Sequence, residues 1–581
     1  MSQHIRLRFD DLVAGTSRSF AGQAEVLRAD TPDEVEALLQ MVRSRLAGGN
    51  TLAGFLSYGA GQVLVAQPDG TRWRQRDESV PLGWFAVLPD GLVNQPLDWP
   101  EPAEVMYHVG APWEAAADQA RHEADVEAVR QRIAAGDFYQ ANLTTQLHNN
   151  FAGAPLGLYR DLAEAQQSAW CCFIETDEFA VASASPELMV RLQDGRLACE
   201  PMKGTAPTSA DATTDREARS ALLGSAKDVA ENVMIVDLLR NDLAKVCTTG
   251  SVAVTDLCRA ERYPSVWQLV SRIEGELGQG LGPVDVLTAL FPCGSITGAP
   301  KLAAMQAIDE LEAGPRGIYC GSIGILDADS ATLNVAIRTA AIDKRRGTVR
   351  YGAGGGITWS SEPSSEWQEL LVKSRVLDSV PVEPVRVLET LGRVDGDYPL
   401  IDEHLARGAR TCAELGLPWT EDDLREALLG ASPDSGHGAV RLSIGADGIE
   451  VTSRAVPELG MVRLALADRR VRSSDPWRRW KTTHRRVLDQ ARLRRPDVDD
   501  VVFLNERGQV TETSIFTVAV LVDGRWLTPP VKDGCLPGVL RAGLLRQGKL
   551  TEHSLTWADL CGADGLAVLN SVRGWLAARL V

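Results

Sequence analysis

The sequence lacks long hydrophobic runs and paired cysteine motifs. No segment offers about 18 consecutive apolar residues, so a membrane-spanning helix is not expected. The first segment, MSQHIRLRFDDL, carries charges throughout and has no apolar core of the kind found in secretory signals. The ten cysteines include no C-x-x-C pair. This spacing disfavours a zinc site or a disulfide framework and indicates a reducing, cytoplasmic setting.

Positive charge is scarce as well. The 581 residues include 60 Lys and Arg against 78 Asp and Glu, which gives a formal charge of −18. An excess of negative charge repels phosphate backbones, so a nucleic-acid partner is not expected. The nucleotide fingerprints G-x-x-x-x-G-K-[ST] and G-x-G-x-x-G are also missing, which argues against a nucleotide site.

The pattern along the chain predicts a mixed α/β protein of several domains. Residues 1–110 contain short apolar runs and turn sequences such as QPDG, which predict strands and hairpins. Residues 111–378 form a predicted core with helices over 113–135, 225–246 and 360–380. Its predicted strands lie over 137–151, 332–343 and 348–358. Two prolines in VPVEPVRV predict a linker over 379–385, before a smaller domain over 386–581.

Two of the predicted helices each carry a pair of acidic residues. Asp228 precedes Glu231 by three positions, and Glu366 precedes Glu369 by the same spacing, so each pair shares a helix face. Carboxylate oxygens suit Mg²⁺, which keeps several waters and bridges to anionic substrates. The alternative is that all four are surface carboxylates on amphipathic helices.

Basic residues and glycines accompany these acids. The segments FPCGSITGAPK and RYGAGGGIT are interpreted as glycine-rich turns with backbone N–H groups that bind anions, although the second also fits a strand. Arg338 and Lys373 would balance the carboxylates of a ligand. Lys203 lies in EPMKGTAPT, which is predicted to be a rigid loop after a strand in GRLACE. A solvated turn lysine is the alternative interpretation of Lys203.

Seven segments resemble the chorismate-utilising enzymes, the family of anthranilate, isochorismate, salicylate and aminodeoxychorismate synthases. In chain order they are DFYQANL, SPELMV, EPMKGT, KDVAENVMIVDLLRND, FPCGSITGAPK, PRGIYCGSIG and GAGGGIT…SEPSSEWQE. The resemblance implies an α/β fold: a multi-layer sandwich like that of anthranilate synthase component I, followed by a smaller α+β domain.

The resemblance also implies roles for matching residues. Glu231 and Glu369, with Asp228 and Glu366 beside them, match Mg²⁺ ligands, and Glu187 matches the general acid. The positions that match the chorismate-binding site are Gln140, Gly204, Thr205, Ser295, Tyr319, Arg338, Gly354, Gly356 and Lys373.

Lys203 and Gln140 distinguish the branches of this family. The resemblance implies that a lysine before Gly-Thr attacks the chorismate ring as the 4-hydroxyl leaves, in the branch that makes 4-amino-4-deoxychorismate. The other branches have a small residue there. Isochorismate and salicylate synthases carry a water-activating lysine at the position of Gln140, and glutamine is not a base. The expected reaction is therefore amination at carbon 4, with anthranilate synthase-like amination as the alternative.

Some family features differ or are missing. Cys293 replaces a usual glycine, and Gln268 stands where many relatives have histidine. Cys320 lies inside a family motif and is expected to be a small buried residue. No G-x-C-x-G elbow, which carries the nucleophilic cysteine of glutamine amidotransferases, is present. The ammonia is therefore expected to come from a separate glutaminase subunit or from solution.

Residues 386–581 resemble class IV aminotransferases and aminodeoxychorismate lyases. The matching segments include LETLGRVDGDYPLIDEHLARGARTCAELGL, WKTTHRR, DDVVFLNERGQVTETSIFTVAV, WLTPPVKDGCLPGVLRAGLL and LNSVRGW. The resemblance implies pyridoxal phosphate bound to Lys481, with Glu512 on its ring nitrogen and Arg407 on its phosphate. Ser571 lies on a loop expected to contact phosphate or substrate.

The activity implied for this domain is release of pyruvate to give 4-aminobenzoate, a folate precursor. Two positions differ from the pattern, because Thr517 replaces an asparagine and Val487 a tyrosine. The domain is also shorter than most of its relatives. A catalytically silent binding domain is the alternative.

Overall fold

The computed structural model describes residues 2–65, 79–110, 113–208, 212–263, 266–431 and 438–581. The QPDG turn lies outside these ranges. The chain forms two compact units, called here the front and back units. The front unit comprises Met1–Trp99, Val109–Pro207 and Glu217–Leu377, and the back unit comprises Pro100–His108, Thr208–Arg216 and Asp378–Val581. The bounds 1–110, 111–378, 379–385 and 386–581 stay a prediction.

The first 377 residues contain nine α-helices and twenty strands within the described ranges. The helices are α1 (Pro32–Ala47), α2 (Gly61–Leu64), α3 (Gln119–Ala135), α4 (Pro155–Gln166), α5 (Ala212–Gly224), α6 (Ala226–Ala244), α7 (Pro283–Leu290), α8 (Lys301–Leu311) and α9 (Pro363–Ser374). The first ten strands are β1 (Ser2–Asp11), β2 (Thr16–Ala29), β3 (Thr51–Leu56), β4 (Gly83–Leu88), β5 (Val93–Pro96), β6 (Tyr107–Val109), β7 (Glu114–Ala115), β8 (Gln140–Gly153), β9 (Trp170–Glu175) and β10 (Phe179–Ser185). The next ten are β11 (Leu188–Gln193), β12 (Arg196–Glu200), β13 (Met202–Pro207), β14 (Ala253–Arg262), β15 (Val266–Glu276), β16 (Gly298–Ala299), β17 (Ser322–Leu326), β18 (Ala331–Val335), β19 (Thr339–Asp343) and β20 (Thr348–Ile357).

Antiparallel pairing runs continuously through the front unit. The order is β8-β20-β19-β10-β9-β1-β2-β4-β3-β17-β18-β11-β12-β15-β13. A sheet this long twists and curls back on itself. Phe179 of β10 therefore meets Phe55 of β3 and Trp84 of β4 edge-on, with centroids 5.9 and 6.2 Å away. These three rings lie in an apolar core between the two halves of the sheet.

Residues 1–110 contain strands, as predicted, and also helix α1, which was not predicted. Pro32 occupies its first turn, and the Glu34 carboxylate accepts a 3.0 Å hydrogen bond from the Thr31 backbone N–H. This is the arrangement that starts a helix. Its buried face, which includes Leu38 and Val42, joins a second apolar core against the sheet.

Other predicted elements are present with altered ends. The helix predicted over 113–135 begins at Gln119, because the Asp118 carboxylate accepts the backbone N–H of Arg121 at 2.9 Å. The helix predicted over 360–380 ends at Ser374 and continues as a 3₁₀ turn to Ser379. The strand predicted over 332–343 is divided into β18 and β19, with Arg338 at a φ of +52° between them.

Two segments interpreted as loops or turns are strands. EPMKGTAPT contains β13, which pairs with β15 across a register shift between Met202 and Thr205. The extra residue makes a β-bulge, and Gly204 accommodates it at a φ of +88°. GAGGG belongs to β20, whose residues pair along β8. The glycines are required there by close packing, since a Cβ on Gly352 would lie 2.2 Å from the Tyr319 ring.

The remaining elements belong to the back unit. The helices are α10 (Ile401–Glu414), α11 (Glu421–Gly430), α12 (Arg486–Leu493), α13 (Val539–Arg546) and α14 (Trp557–Cys561). The strands are β21 (Val387–Arg393), β22 (Gly438–Gly445), β23 (Gly448–Arg454), β24 (Val462–Leu466), β25 (Asp500–Leu504), β26 (Val510–Thr513), β27 (Thr517–Val522), β28 (Arg525–Thr528), β29 (Thr551–Glu552), β30 (Gly565–Asn570) and β31 (Gly574–Leu580).

These strands form two sheets. The order β21-β22-β23 makes a small sheet, and β26-β25-β24-β31-β30-β27-β28-β29 makes a larger one. Helices α10 and α11 share an apolar core with the small sheet, whereas α12 packs on β24 and β25 of the larger one. Among all the described helices, none has the length and apolar character needed to cross a membrane.

Candidate functional site

Lys203 and Gln140 converge beside Gly356. Lys203 lies on the bulge of β13, Gln140 begins β8, and Gly356 lies near the end of β20. A Cβ on Gly356 would lie 2.7 Å from Gln140 Nε2 and 2.9 Å from Lys203 Nζ. Both amide atoms of Gln140 are buried and have no hydrogen-bond partner among the described residues. Buried amides are normally paired, so these atoms mark a place where a polar ligand or water binds.

Glu187 is a buried acid next to this point. Its residue is 3% exposed, and burial raises the pKa of its carboxyl to about 7, against the opposing effects of the Ser295 hydroxyl, the charge of Lys203 and the Met202 backbone. Its Oε1 lacks a hydrogen-bond partner within the part of the chain that the structure describes. Glu187 can therefore carry a proton near neutral pH and present it to a ligand.

Lys203 has the environment of a nucleophile. Burial lowers the pKa of its amine, and the positive charge of Lys373 lowers it further. The carboxylates of Glu231, Glu187 and Glu369 act in the opposite direction. A larger neutral fraction makes the amine available for attack, because only the neutral form has a free electron pair.

The four predicted metal ligands lie on two helices that flank β13 and β20. Asp228 on α6 packs against Gly204, where a Cβ would lie 2.8 Å from the Asp228 Cβ. On α9, Glu366 Oε2 and Glu369 Oε1 would lie 3.4 and 3.7 Å from a Cβ on Gly355. Burial raises the pKa of Glu231 and of Glu366. Glu231 acts electrostatically on Lys203, so all four carboxylates lie near the strands that carry Lys203 and Gly356.

Lysines lie among these carboxylates. Lys373 Nζ is 2.6 Å from Glu369 Oε1, and Lys227 Nζ lies 3.9 Å from Glu231 Oε1 and 3.7 Å from Glu366 Oε1. Across the described residues, no three His, Cys, Asp or Glu side chains meet closely enough to hold a metal ion. The donor set itself, four carboxylates on two adjacent elements, fits Mg²⁺.

The other predicted substrate-binding residues surround β20 and β13. Lys373 Nζ donates a 2.8 Å hydrogen bond to the Gly354 carbonyl, and the Arg338 guanidinium donates to the Lys373 carbonyl. Ser295 lies in the 3₁₀ turn Gly294–Ile296 and hydrogen-bonds Glu187. Thr205 is paired with Gln268 across β13 and β15. The predicted residues of the front unit are therefore brought together.

Two further residues were not predicted from the sequence. The Tyr351 hydroxyl is buried, and no donor or acceptor among the described residues reaches it. Burial raises the pKa of this phenol to about 12, with Arg338 nearby. Lys227 directly precedes Asp228, and its i, i+4 spacing to Glu231 was the available signal. Its contact with Glu366, 139 residues away, is visible only in the structure.

Lys481 occupies a comparable environment in the back unit. Its carbonyl accepts a 2.7 Å hydrogen bond from the Leu388 N–H, so the segment runs along β21. Burial lowers the pKa of the Lys481 amine to about 7, and Arg407 and Arg485 contribute in the same direction. Burial therefore increases the neutral fraction of this amine, the form that reacts with carbonyl groups.

Arg407 is held by a buried carboxylate. Its Nε and Nη2 donate to the two oxygens of Glu389 at 2.8 and 2.6 Å, and Nη1 donates to the Pro537 carbonyl at 3.2 Å. His404 Nδ1 lies 2.6 Å from Glu389 Oε2. Burial opposes ionisation of Glu389, yet Arg407 and the His404 hydrogen bond lower its pKa to about 2. Arg407 therefore has only its remaining N–H groups for an anion.

Glu512 lies on β26, and Ser571 lies in the turn between β30 and β31. Arg478 Nη2 donates to Glu512 Oε1 at 2.6 Å and the Leu536 N–H donates to Oε2 at 3.2 Å, while burial raises the pKa of this carboxyl. The Ser571 carbonyl lies against β21, 2.9 Å from where a Cβ on Gly392 would be. The charge of Arg485 lowers the pKa of both Glu512 and Lys481, so its guanidinium lies within electrostatic range of both side chains.

The two unusual positions have structural explanations. Val487 packs into the apolar cluster between α12 and the large sheet. Thr517 begins β27 and is buried, with its hydroxyl 3.3 Å from where a Cβ on Gly538 would lie. Neither change disrupts the surrounding strands.

Comparison with known protein families gives a match for each part of the chain. Residues 5–379 match the model of chorismate binding enzymes, and residues 386–581 match that of class IV aminotransferases. The second match implies pyridoxal phosphate. A buried amine with a pKa of about 7 and a buried carboxyl fit a cofactor that has a carbonyl group and a protonated ring nitrogen.

Two curated relatives match part of this chain about equally. Anthranilate synthase component 1 of Aquifex aeolicus (strain VF5) is 39% identical over 253 residues, or 43% of this chain and 51% of that protein. Aminodeoxychorismate synthase component 1 of Klebsiella aerogenes is 38% identical over 278 residues, or 48% of this chain and 61% of that protein. The chain thus spans about half the length of the curated relatives it matches.

A solved structure has the same fold. Anthranilate synthase component I from Streptococcus pneumoniae TIGR4 is 24% identical, with a TM-score of 0.51 over 64% of this chain and 91% of that one. The predicted fold class, a multi-layer α/β sandwich followed by a smaller α+β domain of the class IV type, is therefore confirmed. The model of chorismate binding enzymes matches residues 5–379, which is well over half of this chain. The chain therefore belongs to that family.

Proposed function

We propose that the front unit converts chorismate and ammonia to 4-amino-4-deoxychorismate. The observation that carries this proposal is Lys203, a desolvated amine that lies beside Gly356 and within range of Glu187. Overall similarity does not choose between the two aminations, because relatives named for each are about equally identical. The nucleophilic amine of Lys203 favours amination at carbon 4 of chorismate.

The proposed steps use groups in the front unit. Glu187 gives its proton to the 4-hydroxyl of chorismate, which leaves as water while the Lys203 amine forms a bond to the ring. Ammonia then forms the new carbon–nitrogen bond as the bond to Lys203 breaks and the lysine leaves as a neutral amine. The new ammonium group returns a proton to the Glu187 carboxylate. Gln140 contributes a neutral amide and cannot activate water, which disfavours hydroxylation.

The acidic helices are proposed to hold Mg²⁺. Glu231 and Glu369, with Asp228 and Glu366, would supply the oxygen ligands, and the bound ion would neutralise a carboxylate of chorismate. Arg338 and Lys373 would bind the remaining negative charge and orient the ring. Support comes from the position of the four acids beside the strands that carry Lys203 and Gly356.

Ammonia is proposed to come from a glutaminase subunit. The sequence contains no elbow for a glutaminase cysteine, and the Klebsiella relative carries the words "component 1" in its name. A reducing cytoplasm is the proposed location, supported by the free thiols of all ten cysteines.

The back unit is proposed to release pyruvate from aminodeoxychorismate and leave 4-aminobenzoate. Pyridoxal phosphate, when bound, supplies an electron sink for the carbanion formed when a proton is removed. Lys481 would hold the cofactor and, as a neutral amine, take that proton. Glu512 would keep a proton on the ring nitrogen, while the free N–H groups of Arg407 and the turn at Ser571 would bind the phosphate.

Replacing Lys203 tests the front reaction. Lys203→Ala should slow amination at carbon 4 by roughly a hundredfold or more, because the nucleophile is removed. Lys203→Arg keeps the positive charge but has no nucleophilic amine, so it should be equally slow. The measurement is chromatographic quantification of product from chorismate, Mg²⁺ and ammonium. Near-wild-type activity of Lys203→Arg would show that charge alone is needed.

The pKa of Glu187 predicts a pH dependence. Since burial raises this pKa to about 7, the acid form is present below that pH and is lost as the pH rises through it. At a constant concentration of free ammonia, kcat/KM should therefore fall above about pH 7. Glu187→Gln should be slow and lack this limb. A limb of unchanged midpoint in residual Glu187→Gln activity would assign it to another group.

Replacing Lys481 distinguishes the reaction of the back unit from that of the front unit. Lys481→Ala should leave the amination rate intact and make aminodeoxychorismate accumulate, with no pyruvate released. Lys532→Ala, which changes an exposed lysine of the same unit, should release pyruvate normally. The assay couples pyruvate to lactate dehydrogenase. Failure of wild-type protein to release pyruvate with added pyridoxal phosphate would mean that the back unit is a silent domain.

A further inference from the structure

Lys227 joins the two acidic helices by a pair of loose contacts. Its Nζ lies 3.9 Å from Glu231 Oε1 on α6 and 3.7 Å from Glu366 Oε1 on α9. Both distances exceed hydrogen-bond length, so each is a purely electrostatic contact. Glu231 Oε1 also lacks a hydrogen-bond donor among the described residues. The ammonium is therefore close enough to neutralise both acids and weakly enough bound to leave.

The exposed fractions of the three side chains also indicate that the Lys227 ammonium can leave the two acids. The Lys227 side chain is 46% exposed, whereas those of Glu231 and Glu366 are 11% and 5% exposed. Lys227 thus reaches from solvent onto two nearly buried carboxylates. Buried carboxylates on neighbouring elements repel one another unless a cation lies between them. Lys227 supplies that cation from a flexible stem, which can turn outward at low cost.

Lys373 is held differently from Lys227. Its Nζ is 2.6 Å from Glu369 Oε1, donates to the Gly354 carbonyl at 2.8 Å, and its side chain is 21% exposed. These short contacts fix its ammonium against β20. Of the two lysines, Lys227 is the one whose contacts can be exchanged for those of an incoming ion.

We propose that Lys227 is an internal counter-cation of the acidic site, which holds Glu231 and Glu366 together until Mg²⁺ displaces its ammonium. This inference rests on the proposed Mg²⁺ site. Lys227 is then a positioning residue that competes with the metal. It stabilises the metal-free site and lowers the affinity of the site for the ion.

Titration of the full-length protein with Mg²⁺ by isothermal calorimetry tests this competition. Lys227→Gln should bind Mg²⁺ roughly three- to tenfold more tightly than wild type, because a competing positive charge is gone. The metal-free variant should melt at a lower temperature, and saturating Mg²⁺ should raise its melting temperature by more than in wild type. Lys227→Arg, which keeps the charge, should resemble wild type in both measurements.

Lys245→Gln is the matched control. Lys245 caps the other end of α6 and pairs with Asp242 at 2.7 Å, so this variant loses an ion pair of the same helix away from the acidic site. It should leave Mg²⁺ affinity unchanged.

Two results would overturn the inference. Unchanged or weaker Mg²⁺ binding by Lys227→Gln would mean that Lys227 does not compete with the metal. Absence of Mg²⁺ binding by wild type would remove the metal assignment and this inference together. Amination assays with and without Mg²⁺ would then show separately whether the proposed synthase activity stands.

Discussion

The front site depends on the β-bulge between Met202 and Thr205. Side chains alternate along a regular strand, so an extra residue changes the direction in which one of them points. Here the bulge lies at Lys203, whose ammonium reaches the end of β20 beside Gly356. Gly204 makes the bulge possible with a φ of +88°, and it packs directly against Asp228 on α6. One backbone irregularity therefore positions the amine and the acidic helix together.

Burial of ionisable groups shifts pKa values in both units. Desolvation raises the pKa of Glu187 to about 7 and lowers that of Lys203, so an acid and an amine are both shifted toward their neutral forms. The same effect brings Lys481 in the back unit to about 7. In each unit, burial therefore increases the neutral fraction of a lysine amine, the form that we propose reacts with carbon. The two lysines differ in what surrounds them, since Lys203 has carboxylates nearby and Lys481 has mainly arginines.

Motif residues were predictable because each lies in a segment with its own recognisable pattern. The sequence indicated that Gln140, Lys203 and Gly356 belong to one site, and the structure brings them together. Local backbone structure was predicted less well. The segment around Lys203 contains proline and glycine, which indicate a loop, yet pairing with β15 about 65 residues away makes it a strand. The start of α1 is fixed locally, by the capping contact between Thr31 and Glu34.

Long-range charge pairs could not be inferred from sequence. The contact between Glu389 and Arg407, and that of Lys227 with Glu366, depend on how separate elements pack. These pairs determine which charges remain for a ligand. They explain why the predicted set of candidate residues left the electrostatics of both sites undetermined.

We propose that Lys203 directs amination to carbon 4 of chorismate. Mass spectrometry and chromatography of the aromatic product that wild-type protein forms from chorismate, Mg²⁺, ammonium and pyridoxal phosphate test this proposal. The expected product is 4-aminobenzoate, or aminodeoxychorismate where the back unit has no catalytic activity. Anthranilate as the main product would contradict it.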